Sequence, residues 1–274
     1  MAHKDHGADE ADLLLGPHPV REALRAGRRR VRRILLAREA RDPRLGEIVV
    51  LAGREGIPVR RVPRDQLATM AGTDRHQGIV ALADPFVYAD PEEVAAGAAA
   101  RSALPLLVAL VGVEDPQNLG AILRTAEAFG VDGVILPKHR AAGVTAGTLR
   151  AASGAVEHLP VARATNLATC LERLKALGYW VCGADVEGGV PAGAADLRRP
   201  LALVIGGEHR GLRPGIREHC DMLVTIPMGG RLGSLNASVA AGIILYEVCR
   251  QRSTAIVEKQ EKNKKNAILS SKEG

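Results

Sequence analysis

Three segments of the sequence bring glycine together with polar side chains of the kinds that bind ligands. They are EDPQNLGAILRTAEAFG at 114–130, LVIGGEHRGL at 203–212 and IPMGGRLGSLNASVA at 226–240. Each contains or follows an apolar run typical of a strand, and open α/β sheets bind ligands at the carboxyl ends of their strands. The sequence therefore predicts a glycine-rich pocket at strand ends, and its polar candidates are Asn118, Arg124, Glu208, Ser234 and Asn236.

The first two segments supply a charged pair of candidates. Arg124 is either a surface charge or, because its neighbours in the sequence are apolar, an arginine that needs a partner such as a phosphate or the Glu208 carboxylate. Asn118 begins a predicted helix, where it either caps the helix or faces the pocket. Gly206 and Gly207 follow a strand and allow close backbone approach to a ligand.

The third segment leads into the last long helix. Ser234 and Asn236 are suited to cap that helix, and the exposed amides of its first turn could bind an electron-rich group. The fingerprints G-x-G-x-x-G and G-x-x-x-x-G-K-[ST] do not occur, which disfavours a dinucleotide fold and a phosphate loop. The residues alone do not name a reaction.

The elements that position these segments form an α/β unit over 105–252. Apolar runs predict strands at Leu106–Val113, Val134–Leu136, Trp180–Ala184, Leu201–Ile205 and Leu223–Pro227. Helical spacing predicts helices at Asn118–Phe129, Thr145–Val156, Asn166–Leu177 and Asn236–Arg250. We expect Val239, Ala240, Ile243, Ile244 and Val248 to form the buried side of the last helix.

A smaller α/β unit precedes it over 13–84. Strands are predicted at Leu13–Leu15, Val31–Ala37, Pro58–Val62 and His76–Ala83, with helices opened by Pro17, Pro43 and Pro63. Residues 85–104 are punctuated by proline and glycine and predict a linker with room for a short helix. Residues 1–12 and 253–274 are charged, and we expect a flexible N-terminus and a flexible or partly helical tail.

Charge and composition indicate which class of partner the protein binds. The formal net charge is +6, and Arg21, Arg25, Arg28, Arg29, Arg30, Arg32 and Arg33 fall in one short stretch. Arginine forks match phosphate geometry, so this stretch predicts RNA contact through Arg28, Arg29, Arg30, Arg32 and Arg33. Aromatic residues make up only 2% of the chain, which argues against stacking of splayed bases.

The scattered cysteines disfavour a metal-binding or disulfide-bonded protein, and the lack of a long apolar run disfavours a membrane protein. Cys170, Cys182, Cys220 and Cys249 have no metal-ligand spacing, so we expect buried reduced thiols, no metal and a reducing compartment. No run approaches the ~18 apolar residues of a membrane span, and the start lacks a signal-peptide pattern. These features predict a cytoplasmic protein with no membrane partner.

The three segments, in this order, resemble the motifs of the SpoU (TrmH-type) ribose methyltransferases of the SPOUT superfamily. The matching residues are NLGAILRTA, IGGEHRGL and IPM followed by SLNASVAAG, which together span most of 105–252. The front unit, through GPHPVREAL and HQGIVA, resembles the ribosomal-protein-like substrate-binding domain of the same enzymes. Within the family, the chain looks most similar to enzymes that methylate a guanosine 2′-hydroxyl of bacterial 23S ribosomal RNA.

The resemblance implies a fold and an activity that patterning does not show. It implies a parallel-sheet domain with a deep trefoil knot, a homodimer, and S-adenosylmethionine bound near Gly206, Gly207, Ile226, Met228 and Leu235. In the family the counterpart of Arg124 is proposed as the base, although a guanidinium that stays charged could instead stabilise the developing alkoxide. Asn118, Glu208, Ser234 and Asn236 would orient Arg124, the ribose and the cofactor loop.

Four rival functions remain open. Among enzymes, a transfer-RNA ribose methyltransferase or a ribosomal enzyme of antibiotic resistance would carry the same motifs. A non-catalytic RNA-binding protein on this scaffold would be expected to lack Arg124 or Asn236, and both are present. A nicotinamide-dependent dehydrogenase is disfavoured by the missing fingerprint.

Overall fold

The chain folds into two α/β units, each with its own sheet. The computed structural model describes residues 11–207, 211–231 and 233–270, with side chains as far as residue 253. The first unit contains a four-stranded sheet and the second a seven-stranded sheet. The predicted fold class is therefore confirmed: a smaller α/β unit precedes a larger one built on a parallel sheet.

The front unit alternates strands and helices from residue 12 to residue 83. Its elements are β1 (Asp12–Leu15), α1 (Pro17–Ala26), β2 (Val31–Ala37), α2 (Arg44–Arg54), β3 (Val59–Val62), α3 (Arg64–Ala71) and β4 (Ile79–Ala83). The strand order is β1-β4-β2-β3, with β4 antiparallel to both neighbours and β2 parallel to β3. Pro17 opens α1, and Gly27 ends it in the left-handed region at φ 61°, as the sequence predicts.

The predicted linker is largely a packed helix. α4 (Pro91–Arg101) begins at Asp90, whose side chain accepts hydrogen bonds from the amides of Glu92 and Glu93. Its buried residues join a core cluster of the second unit, and Tyr179 donates a hydrogen bond to the Ala95 carbonyl at 2.8 Å. The expectation of a linker with a short helix was therefore wrong in one respect: 11 of these residues form a helix that belongs to the second unit.

The second unit is an open sheet with helices on both faces. Its elements are β5 (Leu106–Val111), α5 (Pro116–Ala128), β6 (Gly133–Pro137), α6 (Ala146–Ala152), β7 (Val161–Ala164), α7 (Leu167–Ala176), β8 (Trp180–Ala184), β9 (Val190–Pro191), β10 (Leu201–Gly206), α8 (Pro214–Arg217), β11 (Met222–Thr225) and α9 (Ala237–Ser270). The order is β7-β6-β5-β10-β8-β11-β9, and every paired strand is parallel. The short strands β7 and β9 and the helix α8 were not predicted. The trefoil knot stays a prediction.

Two helices differ from their predicted form. The helix expected over Thr145–Val156 ends at Ala152, because Ser153 and Gly154 adopt left-handed φ values of 52° and 95° before a 3-10 turn at Ala155–Glu157. On α9 the buried side consists of Ala237, Ala241, Ile244, Leu245 and Val248, whereas Val239 and Ile243 are exposed. The predicted buried side was thus partly wrong, since α9 carries two apolar stripes and only one packs on the sheet.

One end of the folded chain departs from expectation, and the other fits the partly helical tail that was expected. Asp12, predicted to lie in a flexible N-terminus, is the first residue of β1, and its carboxylate accepts a hydrogen bond from the Phe86 amide at 2.8 Å. At the other end α9 continues to Ser270, through most of the lysine-rich tail.

Candidate active site

A pocket opens at the carboxyl ends of β8, β10 and β11, against the start of α9. It encloses about 280 Å³, near the small end of the range for ligand sites. We call it the strand-end pocket, and its walls include all the residues for which the sequence predicts cofactor contact: Gly206, Gly207, Ile226, Met228 and Leu235. The structure thus brings this predicted group together, and the role of each residue stays a prediction.

Gly206 and Gly207 are required by close backbone approach at the end of β10. A Cβ on Gly206 would overlap the backbone of Gly211, and one on Gly207 would overlap the carbonyl oxygen of Gly112. Because neighbouring backbone occupies that space, no larger residue fits without movement of the loops. The glycine pair therefore shapes the floor of the pocket.

Asp185 is a polar wall residue that the sequence reasoning missed. It follows β8, lines the strand-end pocket, and its side chain is only 6% exposed. Its carboxylate accepts a hydrogen bond from the Val186 amide at 2.8 Å and pairs with Arg217 at 3.2 Å. The signal was available, since Asp185 directly follows an apolar strand, as do the residues that were singled out.

A second pocket, bordered by charged and amide side chains, adjoins the first at the starts of α5 and α9. This Asn118 pocket encloses about 380 Å³ and is lined by Gly112, Glu114, Asp115, Asn118 and Arg213 among others. It shares Gly207, Gly211 and Ala237 with the strand-end pocket. Ligands in the two pockets would therefore meet across Gly207.

Asn236 joins the helix starts that border the two pockets. Its Nδ2 donates to the Asn118 Oδ1 at 2.9 Å, and its Oδ1 accepts from the amides of Ser238 and Val239 at 2.9 and 3.3 Å. Helix capping and a site role are therefore compatible for Asn236. Ser234 is exposed and lines the strand-end pocket. Glu208 lies outside the described residues.

Arg124 occupies a different place from the one expected. It is exposed on α5 and lines neither pocket, and its Nη1 donates to the Ser153 Oγ at 3.4 Å. Six residues separate it from Asn118, which is about 9 Å along the helix axis and a large rotation around it. This exposure fits a surface charge, because helical rotation turns Leu123 inward and Arg124 outward.

The arginine stretch predicted to contact RNA divides into two kinds. Arg28, Arg30, Arg32 and Arg33 are exposed, and Arg32 pairs with Asp84 at 2.6 Å. Arg29 is buried, with its side chain 6% exposed, and bonds Asp12 at 2.7 Å and Glu157 at 2.6 Å. Arg29 is therefore not available to an RNA phosphate, and the prediction was wrong for this residue.

The Arg29–Glu157 pair docks the front unit on the second unit. Glu157 lies in the 3-10 turn after α6, and burial raises its pKa despite the neighbouring Arg29. Beside it the His158 Nε2 lies 3.0 Å from the Glu22 carboxylate on α1. A Cβ on Gly154 would approach the Glu22 Cβ to 2.7 Å, so α1 packs flush on this turn. The two units therefore meet at a built interface.

The described side chains give little support to thiol or metal chemistry. All four cysteines are free, Cys170 and Cys182 are buried, and Cys220 and Cys249 are half-buried. Burial raises the pKa of Cys182 to about 12 and that of Cys170 and Cys220 to about 11, so these thiols are protonated at neutral pH. In the described part of the chain no three His, Cys, Asp or Glu residues are grouped to hold a metal ion. Within the same ranges no helix is long and apolar enough to cross a membrane.

Both units resemble known proteins. A family model described as the SpoU rRNA Methylase family matches residues 105–246, and one described as RNA 2′-O ribose methyltransferase substrate binding matches residues 13–89. A putative TrmH family tRNA/rRNA methyltransferase of Bacillus subtilis, YacO, is 40% identical over 246 residues, which cover 90% of this chain and 98% of that protein.

Solved structures agree over both units. The SpoU methyltransferase AviRb from Streptomyces viridochromogenes, in complex with AdoMet, superposes with a TM-score of 0.75 at 28% identity, covering 88% of this chain and 90% of that one. An AdoMet-bound rRNA methyltransferase from Sinorhizobium meliloti gives a TM-score of 0.73 at 27% identity, covering 88% and 87% of the two chains.

Proposed function

Because this chain belongs to the SpoU/TrmH family of RNA 2′-O-methyltransferases, we propose that it methylates a guanosine ribose of 23S ribosomal RNA with S-adenosylmethionine as donor. The observation that carries the proposal is the junction, across Gly207, of the glycine-rich strand-end pocket with the Asn118 pocket, which charged and amide side chains border. A ribosomal target is supported by the front unit and by the similar rRNA methyltransferase of Sinorhizobium meliloti. Such a target would place the enzyme in the cytoplasm.

The strand-end pocket fits the cofactor in chemistry. Ile205, Ile226 and Ile244 provide apolar walls, the glycine pair exposes backbone, and the Asp185 carboxylate can accept a hydrogen bond. When bound, S-adenosylmethionine supplies an electrophilic methyl group on a sulfonium. Gly206, Gly207, Ile226, Met228 and Leu235 would hold it, and we add Asp185 to that group.

The Asn118 pocket would orient the ribose. Methyl transfer requires the attacking oxygen to lie in line with the bond that breaks, so positioning is a main contribution of the protein. Asn118 and Ser234 line the two pockets, Asn236 is hydrogen-bonded to Asn118, and all three offer neutral donors and acceptors to the sugar. For Glu208, which lies outside the described residues, we keep the orienting role that the family resemblance implies.

Arg124 would act as a charged group. It is exposed and its Nη1 donates to the Ser153 Oγ, and arginine side chains are in general always charged in proteins. We therefore prefer the alkoxide-stabilising role to the role of base, with an RNA phosphate or solvent taking the proton. Because Arg124 lines neither pocket, it would reach the reacting oxygen only with RNA, a second chain, or both in place.

A second copy of the chain would cover the exposed stripe of α9. Val239, Ile243 and Tyr246 are 49%, 41% and 57% exposed, and α9 packs beside α5. A homodimer built on this stripe would bury it close to Arg124. We expect Tyr246→Asp to shift sedimentation from dimer to monomer, whereas Val50→Asp, on the exposed side of α2, leaves it unchanged. A wild-type monomer would refute the dimer.

Ribose-methylation mapping of total RNA tests the function directly. A strain lacking the gene should lose one 2′-O-methyl group in 23S ribosomal RNA, and the wild-type gene should restore it while Arg124→Ala does not. Calorimetry of the purified protein should show binding of S-adenosylmethionine. Loss of a transfer-RNA methyl group instead would overturn the ribosomal target, and absence of cofactor binding would overturn the enzyme.

A further inference from the structure

A polar cleft lies between the two units, beside the first turn of α5. It encloses about 540 Å³ and is lined by Gly72, Thr73 and Arg75 of the front unit and by Gln117, Arg150 and Ala151 of the second. We call it the inter-unit cleft. It is separate from the strand-end and Asn118 pockets, with which it shares no wall residue.

Each unit contributes one arginine to this cleft, and neither arginine is neutralised. Across the residues with described side chains, Arg75 and Arg150 form no ion pair with a carboxylate, whereas Arg29, Arg32 and Arg217 each do. Arg75 is exposed and Arg150 is half-buried on α6. Two cations that face one cleft create a positive potential, which an anion would relieve.

The cleft is next to the predicted ribose site. Gln117 lines the cleft and Asn118 lines the Asn118 pocket, so consecutive residues of one helical turn border both cavities. A phosphate in the cleft would therefore lie close to the target nucleotide along the strand.

The wall that holds Arg150 is tied to the docking of the two units. Arg150 lies on α6, and the turn after α6 is held against the front unit by the buried Arg29–Glu157 pair. The tight contact of Gly154 with Glu22 adds to that docking. A preformed wall reduces the ordering cost of binding.

We propose that the inter-unit cleft binds one RNA phosphate next to the target ribose, with Arg75 and Arg150 as its ligands. Guanidinium groups give bidentate hydrogen bonds to phosphate oxygens, and the exposed Gln117 amide is a further donor. The phosphate anchors the strand while the neighbouring sugar enters the Asn118 pocket. This inference rests on the proposed function, since it assumes an RNA substrate.

The salt dependence of RNA affinity tests the proposal. Filter binding would use 23S ribosomal RNA from a strain lacking the gene, with wild-type protein, Arg75→Ala, Arg150→Ala and the double variant. Arg54→Ala is the matched control, since Arg54 is exposed on α2 and far in sequence from the cleft. Each single variant should bind about tenfold more weakly and keep the log–log salt slope, because the remaining arginine still neutralises the phosphate. The double variant should lower the slope by about 0.7, because both arginines share one phosphate.

Two further measurements separate the cleft from the rest of the site. Affinity for S-adenosylmethionine should be unchanged in every variant, and Arg150→Lys should keep the wild-type salt slope because it keeps the charge. The proposal is overturned if the single variants match Arg54→Ala in affinity, or if the double variant loses about 1.4 in slope, which would indicate two separate phosphates. Wild-type protein that binds no RNA or no cofactor would instead overturn the proposed function itself.

Discussion

Replacement of Arg29 by methionine should destabilise the protein more than any other change in the arginine stretch. Arg29 and Glu157 have side chains only 6% and 3% exposed, and the substitution leaves the Glu157 carboxylate buried without its partner. Breaking a buried ion pair from one side costs about 3–5 kcal/mol. We expect about 3 kcal/mol here, because Asp12, the other partner of Arg29, is 31% exposed and keeps its hydrogen bond from the Phe86 amide.

The loss should depend on pH with a defined sign. Burial already raises the pKa of Glu157 in the folded protein, and removal of Arg29 takes away the ion pair and hydrogen bond that lower it. The folded state then binds a proton that the unfolded state releases, so stability falls as pH rises above the ordinary carboxyl pKa. The difference in unfolding free energy between variant and wild type should be larger at about pH 8 than at about pH 5.

Urea unfolding followed by far-ultraviolet circular dichroism measures this difference at both pH values. Arg32→Met is the matched control, because the exposed Arg32–Asp84 pair should contribute less than about 1 kcal/mol. The double variant Arg29→Met with Glu157→Leu should recover most of the loss and its pH dependence, since an apolar pair leaves no buried charge. The reasoning fails if Arg29→Met costs no more than Arg32→Met, or if its cost grows as pH falls.

Three substitutions test the site. Arg124→Ala should lower the rate of methyl transfer by about 10²–10³-fold and leave cofactor affinity unchanged, as measured by single-turnover kinetics and calorimetry; an unchanged rate would remove Arg124 from the mechanism. Gly207→Ala should abolish cofactor binding, since its Cβ would overlap the Gly112 carbonyl, whereas Gly215→Ala, with open space around its Cβ, should bind normally; equal affinities would show that the loops move freely. Asp185→Asn should weaken cofactor binding about tenfold in the same calorimetry, and wild-type affinity would exclude Asp185 from the cofactor site.

Sequence signals predicted those helices and strands whose ends or burial depend on their own residues. Proline and glycine fixed the ends of α1, and continuous apolar runs located β5 and β10 because strands buried on both faces have that composition. The apolar-run rule missed β7, whose four residues VARA are too few to form a pattern. The packed helix α4 was underestimated because its alanine-rich sequence obscured the D-P-E-E start of the helix.

The more a site residue's position depends on partners far away in the sequence, the less well the sequence predicted it. Residues at strand ends came together as expected, and Asp185 would have been found by applying the same rule to β8. The outward position of Arg124 could have been predicted from the helical period alone. The burial of Arg29 could not be predicted, because its partner Glu157 is 128 residues away and nothing in the local sequence separates Arg29 from Arg28 or Arg30.

The short α6 helix and its following turn connect the two halves of the proposed chemistry. On one side a Cβ at Gly120 of α5 would overlap Ala151, and on the other Gly154 contacts Glu22 of α1, so both neighbours pack directly on this segment. Between these contacts Ser153 holds Arg124, and Arg150 faces the inter-unit cleft. Because close-packed contacts transmit small shifts, the angle of the front unit and the position of α5 are coupled through this segment. If RNA binds across both units as proposed, the docking that forms the inter-unit cleft also sets where α5 meets the RNA.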